Sequence, residues 1–469
     1  MLSKKLILEV LNRGISTGAD FAEIFYEDTY RKSFSFENEK LDSMNESNIN
    51  GIGIRLLKKL QSVYGYTNDL TKKGVFALVD SLSQTFNDKK VLEDVTTLTN
   101  KKVKKINKPV HYLKDVDDKE IISLVKKGIS TILNYDKRII RVISGFQITD
   151  TNTVIYNSNG LVFKNFKEYG RIYYNSIASE NGKIETRFDG PGSQGGWDFF
   201  TKTLNVEDLA LENAKKVILM LNAKECPSGK YPVVIGNGWG GVIFHEACGH
   251  QLEATSVAKK ISVFTDMKGK QIANTIVSAY DDGTIPNEWG SNNVDDEGNT
   301  PQKNCLIKNG ICVGYLVDDF NGRRMNEKGN GASRRESYKY EPTSRMSNTY
   351  IEKGKSNPKD IIKNTKLGLY AVSFNGGSVN PGTGDFNFGC SEAYIIKDGK
   401  ILEPVRGATL VGNARDILKH IDMIGNDVAL GQGMCGSVSG SIPVNVGQPT
   451  IRIDDIVVGG RGGSIDEYK

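Results

Sequence analysis

Two of the chain's four histidines, His245 and His250, fall within the stretch GNGWGGVIFHEACGHQLEA (236 to 254), and Glu246 directly follows the first. Histidine is the commonest metal-binding side chain. In helical zinc hydrolases, a glutamate beside a ligating histidine accepts a proton from a water whose pKa the ion lowers to about 7. Those histidines stand four positions apart, about 40° around the helix axis; five positions leave them about 140° apart. A regular α-helix therefore cannot aim both at one ion. A π-bulge can, because its wider turn returns i and i+5 to one face. Gly249, just before His250, is where such a distortion costs least. The spacing predicts a π-type turn if the pair binds metal.

Catalytic zinc usually takes three protein ligands and keeps a fourth position open, so a third ligand must come from elsewhere. Cys248 lies between the histidines and would be turned aside by a bulge, which reads as packing. Cys435 sits in GQGMCGSVSGSIP (431 to 443), where glycines let the backbone approach an ion. A lone cysteine is more often a buried apolar residue, so the residues alone leave Cys435 open. Two other readings compete. Gly236, Gly238 and Gly241 fit the dinucleotide pattern G-x-G-x-x-G between a strand and a helix, but SVAKKISVFT (256 to 265) lacks the strand and acidic residue that should follow. Alternatively, both histidines are ordinary core or surface residues, with Glu246 beside them by chance. His111 and His420 carry no motif.

Further along, Arg345 and Asn348 of SRMSNT are candidate substrate- or oxyanion-binding groups, with Arg334, Arg335 and Tyr338 just before them. The pairs Asp281–Asp282 and Asp295–Asp296 suit exposed turns, or less well a hard-cation site. A peptide could bind by strand addition to an exposed sheet edge, with little sequence preference.

The elements that must position these groups are legible in part. Residues 3 to 13, 73 to 87 and 204 to 223 carry helical periodicity, the last behind Thr and Asn caps. Residues 21 to 47 read as paired strands, and 152 to 179 as a hairpin around an SNG turn. PVVIG (232 to 236) reads as a buried strand leading through glycines into the histidine helix. LIKNGICVGYLV and AYIIKDGKILEPV read as hairpins with glycine turns. Glycine is sparse before residue 220 and dense after it. The expected fold is α+β in two domains: a helix/sheet domain over 1–222, and a strand-rich domain over 223–469 that carries the metal site, with a boundary in LNAKECPSGKYP.

Composition narrows the class. The chain has 469 residues, 38% hydrophobic and 25% charged, with 61 basic against 56 acidic residues. Near balance, and a basic run KKVKK (101 to 105) without interleaved aromatics, argue against nucleic-acid binding. Six cysteines with no CxxC pair suit a reducing compartment. No apolar run approaches membrane-spanning length, and the amphipathic start MLSKKLILEVLNRG has no cleavage site. A cytoplasmic protein is expected, without membrane association.

HEACGH, preceded by GKYPVVIGNGWGGVIF, and the closing run CGSVSGSIPVNVGQPTIRIDDIVVGG (435 to 460) resemble the TldD/PmbA metallopeptidases. So do DDGT, DDEG, SRMSNTYI, NPGTGDFNFGCSEAYIIKDGKI and GATLVGNA between them, and GADFAEIFYE and GIGIRLL near the N-terminus. The likeness keeps its order over nearly the whole chain. It implies a zinc peptidase of the catalytic type, with one Zn2+ per catalytic subunit held by His245, His250 and Cys435, and Glu246 as general base. It further implies small or unfolded peptide substrates, two α+β domains, and a dimer with itself or with a non-catalytic sister subunit.

Overall fold

The computed structural model describes residues 2–380 and 382–468. Its first half is built on one eight-stranded sheet dominated by four long antiparallel strands, Phe21–Glu37, Lys40–Lys58, Ile139–Asn157 and Leu161–Glu180. The first pair is joined across Asn38, whose positive φ suits asparagine. The second is joined by the SNG turn, where Gly160 takes the left-handed conformation.

Strand alternation decides what each face meets. Ala22, Ile24, Tyr26, Phe34 and Phe36 share one face of Phe21–Glu37 and are buried under helices. Helices Lys4–Ile15 and Lys72–Ser83 cover one end of that face, and Asp118–Tyr135 and Val206–Leu221 the other. The last begins at Asn205, whose side chain accepts from the backbone N–H of Glu207 and Asp208. Asn205→Ala is expected to cost about 1 kcal/mol, read as a lower urea midpoint at unchanged slope. The 18-residue helix Asp118–Tyr135 was not anticipated, although Ile121, Val125, Ile129 and Ile132 recur on one buried face behind the cap Asp117.

Glu23, Phe25 and Glu27 point to the opposite face, which packs on the second half of the chain. There Arg55 pairs with Glu23 (3.0 Å) and with Glu297 (2.6 Å), and Arg335 pairs with Glu23 (2.6 Å), all fully buried. Removing one partner would strand a buried charge, so the Arg55–Glu297 and Arg335–Glu23 pairs bind the two halves of the chain to each other.

From residue 224 onward the chain forms an eight-stranded and a six-stranded sheet around a shared apolar core. Both anticipated hairpins are present: Lys303–Lys308 turns into Ile311–Cys312 through Asn309 and Gly310, and Asp385–Lys397 into Lys400–Arg406 through Asp398 and Gly399. All four turn residues have positive φ, the geometry that suits a two-residue hairpin turn. The architecture is thus mixed helix and strand, with short strands concentrated in the second half. KKVKK is exposed and irregular except for half-buried Val103. No helix among the described residues is long and apolar enough to cross a membrane.

The acidic pairs depart from expectation. Asp281, Asp282, Asp295 and Asp296 are all buried rather than in exposed turns. Asp281 accepts from Ser347 N (2.7 Å), Ser347 Oγ (2.7 Å) and Thr349 Oγ1 (2.6 Å). Asp295 accepts from the backbone of Glu297, Asn299 and Ser333. These carboxylates organise loops from inside, a job that sequence alone does not separate from an exposed turn.

Candidate metal centre

The buried strand Gly229–Ile235 runs between Ile451–Gly459 and Leu367–Val379. It delivers the chain to a tight turn at Gly238–Gly241 and a short α-helical segment, Val242–Phe244. The backbone then widens into a π-helical turn over His245–Gly249 before tightening at His250–Leu252. This is the distortion that the five-residue spacing demands. It brings the two imidazoles to a centroid separation of 5.1 Å, nearly perpendicular at 82°.

Glycines allow this segment to lie against its neighbours. A Cβ at Gly241 would stand 2.5 Å from the backbone nitrogen of Gly447, and one at Gly249 would overlap Met346 Sδ. Of the glycines that mimic a dinucleotide loop, Gly236 and Gly241 are thus pressed against backbone. Because the obstacle at Gly241 is backbone, Gly241→Ala is expected to destabilise the fold by about 1–3 kcal/mol and to weaken metal uptake, checked by thermal melting with and without zinc.

Cys435 arrives from the far end of the chain, on strand Ala429–Ser437, opposite Ile442 of Gly440–Gln448. Its Sγ lies 3.3 Å from His245 Nε2 and 3.2 Å from His250 Nε2. Among the described residues, this is the one cluster of three or more His, Cys, Asp or Glu side chains whose donor atoms all lie close together, within 4.8 Å. His245 and Cys435 are buried and His250 nearly so. Burial pushes the Cys435 thiol pKa up, but the two adjacent imidazoles outweigh it and bring it down to about 3. Two nitrogens and one thiolate sulfur are a donor set that zinc accepts well.

Glu253 is the residue the sequence reading left out. It is buried, and its Oε2 lies 3.2 Å from His250 Nδ1. Burial opposes a charged His250, and Glu253 and Cys435 overcome this, raising its pKa well above the usual histidine value. A carboxylate on the far nitrogen orients an imidazole whose Nε2 faces the ligand position. The i+3 spacing from His250 was the available signal, weak because a solvated helix residue would look the same. Glu246 stays about one-third exposed, with Oε2 3.8 Å from His250 Nε2. Cys248 is fully buried against the backbone of Ala414, as packing. His111 is exposed and His420 partly exposed, and they pair with Asp198 and Asp454, away from the cluster.

Arg345 and Asn348 are not brought to a surface. Arg345 is fully buried and donates to Ser439 Oγ (2.9 Å), Gly440 O (2.9 Å) and Cys435 O, bracing the hairpin that carries Cys435. Asn348 is fully buried among Asp282, Gly290, Ser291 and Asn445. Strand Ala429–Ser437 is an edge of the six-stranded sheet, yet Gly433 O already accepts from Trp289 Nε1 at 3.0 Å and Cys435 O from Arg345. Those two carbonyls are closed to an added strand. Space lies beside the strand instead: a cavity of about 540 Å³ bordered by Met434 and Ile442, and one of about 910 Å³ bordered by Trp239, Gly431 and Met434.

A buried His₂Cys set with a solvent-accessible carboxylate next to it is an arrangement suited to a metal-dependent hydrolase. Comparison with known proteins gives the family. Three consecutive profiles match: PmbA/TldA metallopeptidase domain 1 over residues 22–85, the central domain over 111–221, and the C-terminal domain over 228–460. A metalloprotease TldD homolog from Buchnera aphidicola is 34% identical over 94% of this chain and 93% of its own length. A zinc metalloprotease TldD homolog from Saccharolobus solfataricus is 29% identical over 52% of this chain and 55% of its own. Among solved structures, a putative modulator of a DNA gyrase from Thermotoga maritima superposes with a TM-score of 0.79 at 20% identity, covering 97% of this chain and all of that one. TldE from Thermococcus kodakarensis superposes with a TM-score of 0.77 at 17% identity, covering 97% and 100%. The chain belongs to the PmbA/TldA metallopeptidase family, and is a peptide-bond hydrolase of the metallopeptidase class.

Proposed function

We propose that the chain is a zinc-dependent peptidase acting on small or unfolded peptides, with His245, His250 and Cys435 holding the ion and Glu246 acting as general base. The observation that carries this reading is the convergence of three donor atoms within 4.8 Å, one of them from nearly two hundred residues downstream. The zinc relative supports the choice of metal. When bound, zinc supplies Lewis acidity toward a water and the scissile carbonyl.

The chain's own residues do the rest. Glu246, reachable by solvent, takes the proton of the attacking water and returns it to the leaving amine. Glu253 holds the His250 ring with its Nε2 toward Cys435, and Arg345 fixes the Cys435 hairpin. Peptides lie in the space bordered by Met434, so an unfolded chain fits where a folded domain does not. The chain would work in the cytoplasm as a dimer, with a second copy or with a non-catalytic sister subunit, and its shared fold with TldE is compatible with such a pairing. We assign residues 1–222 and 223–469 to two structural units, since among the described residues no sheet is shared across that boundary. The test is mass-spectrometric cleavage of a mixture of unstructured peptides by the zinc-loaded protein, with Glu246→Ala as matched control. Cleavage by both proteins removes Glu246 from this role; cleavage by neither removes the peptidase reading for this chain on its own.

A further inference from the structure

The cavity of about 540 Å³ lies between the helix-free face of the first sheet and the Cys435 hairpin. Its carboxylates are all engaged. Glu27 accepts from Thr29 Oγ1 (2.6 Å) and Tyr338 N (2.6 Å). Asp296 accepts from Lys167 Nζ (3.2 Å) and Arg335 N (2.8 Å). Glu336 accepts from Ser441 N (2.7 Å).

Apart from the exposed Arg31, two guanidiniums on the same walls have no such match. Arg334 is 3% exposed and donates Nη1 to Met346 O at 2.7 Å. Arg171 donates Nε to Gly190 O at 2.9 Å and sits beside the rings of Phe188 (5.5 Å) and Trp289 (5.9 Å). Neither forms an ion pair with a carboxylate among the described residues. Burial lowers both guanidinium pKa values from the usual arginine value, yet arginine keeps its charge at any working pH. A cation withdrawn from water without a carboxylate in contact is costly. Asp296 and Asp281 act on the buried Arg334 only through space, Arg171 is partly buried, and both arginines border the cavity. Arg171 and Met434 also border the second, larger cavity, so both spaces lie against the strand that carries Cys435.

We propose that this cavity is a carboxylate subsite: Arg171 and Arg334 receive a carboxylate of the peptide, whose chain continues past Met434 and Ile442 toward Cys435. The inference rests on the peptidase reading for what the ligand is, though not for its charge. The carboxylate has two sources, the peptide's own C-terminus or an Asp or Glu side chain. A planar, bidentate acceptor suits both.

The test uses the zinc-loaded Glu246→Ala protein and a fluorescent unstructured peptide in three forms: free C-terminus with an internal Glu, amidated C-terminus, and Glu replaced by Gln. Binding is read by anisotropy. One of the two neutralised peptides is expected to bind about tenfold more weakly, a single charge-assisted contact. Loss on amidation assigns the C-terminus; loss on Glu→Gln assigns the side chain. Adding Arg171→Gln is expected to bring the ratio close to one, and Arg334→Lys, which keeps the buried charge, to reduce it in part. Equal binding of all three peptides, no binding of any, or an undiminished ratio in Arg171→Gln overturns the subsite. Offering the same peptides to the wild-type enzyme separates the two readings. Cleavage without charge discrimination leaves the peptidase and removes the subsite; discrimination without cleavage does the reverse.

Discussion

Glu246→Gln is expected to lower kcat/KM for unstructured peptides by about 10²–10⁴-fold while the protein retains its zinc. The glutamate stands next to His245 on the π turn, with its carboxylate beside, not inside, the set formed by His245, His250 and Cys435. Glutamine keeps the size and the hydrogen-bonding oxygen and loses only the ability to take and return a proton, so rate and metal content should separate. Zinc analysis of the purified variant and peptide kinetics give the two readings on one sample. If zinc is lost together with activity, Glu246 is a ligand. If activity persists, another group moves the proton.

The elements read best from sequence were those whose signal is local. The Asn–Gly and Asp–Gly turns and the cap at Asn205 fell where their chemistry put them, because positive φ and an orphan N–H are properties of a few neighbouring residues. The π turn was legible for a related reason: helix geometry alone shows that residues 245 and 250 cannot face one ion without it. Helix Asp118–Tyr135 was overlooked in spite of an equally plain periodicity.

What the sequence could not supply was depth. Asp281 and Asp295 stand in sequences that suit exposed turns, and only the tertiary fold shows them buried and receiving backbone N–H groups. The same limit applies to Arg345 and Asn348, polar residues beside a motif whose side chains brace the hairpin and strands from within. Glu253 shows the limit from the other side. A carboxylate three residues from a histidine is common on any helix, and its meaning depends on burial and on a 3.2 Å approach to His250 Nδ1.

Cys435 carries the second large effect, because its chain position says nothing of its neighbours. Cys435→Ser should lower zinc affinity by more than the roughly 10–100-fold that loss of an outer-shell partner costs, and remove peptide cleavage with it. Serine is nearly isosteric, and the hairpin is braced through the backbone carbonyl of residue 435 and through Ser439 and Gly440, so the variant should fold. What it lacks is a donor that gives up its proton beside two imidazoles, as the depressed Cys435 thiol pKa indicates. Calorimetric zinc titration gives the affinity, and melting with added zinc gives a second measure, since an ion that binds only the native state raises Tm with its concentration. Wild type should show that rise and Cys435→Ser little of it. Equal zinc stabilisation of both proteins would return Cys435 to the apolar packing role that a lone cysteine usually has. His245 and His250 would then hold the ion without it.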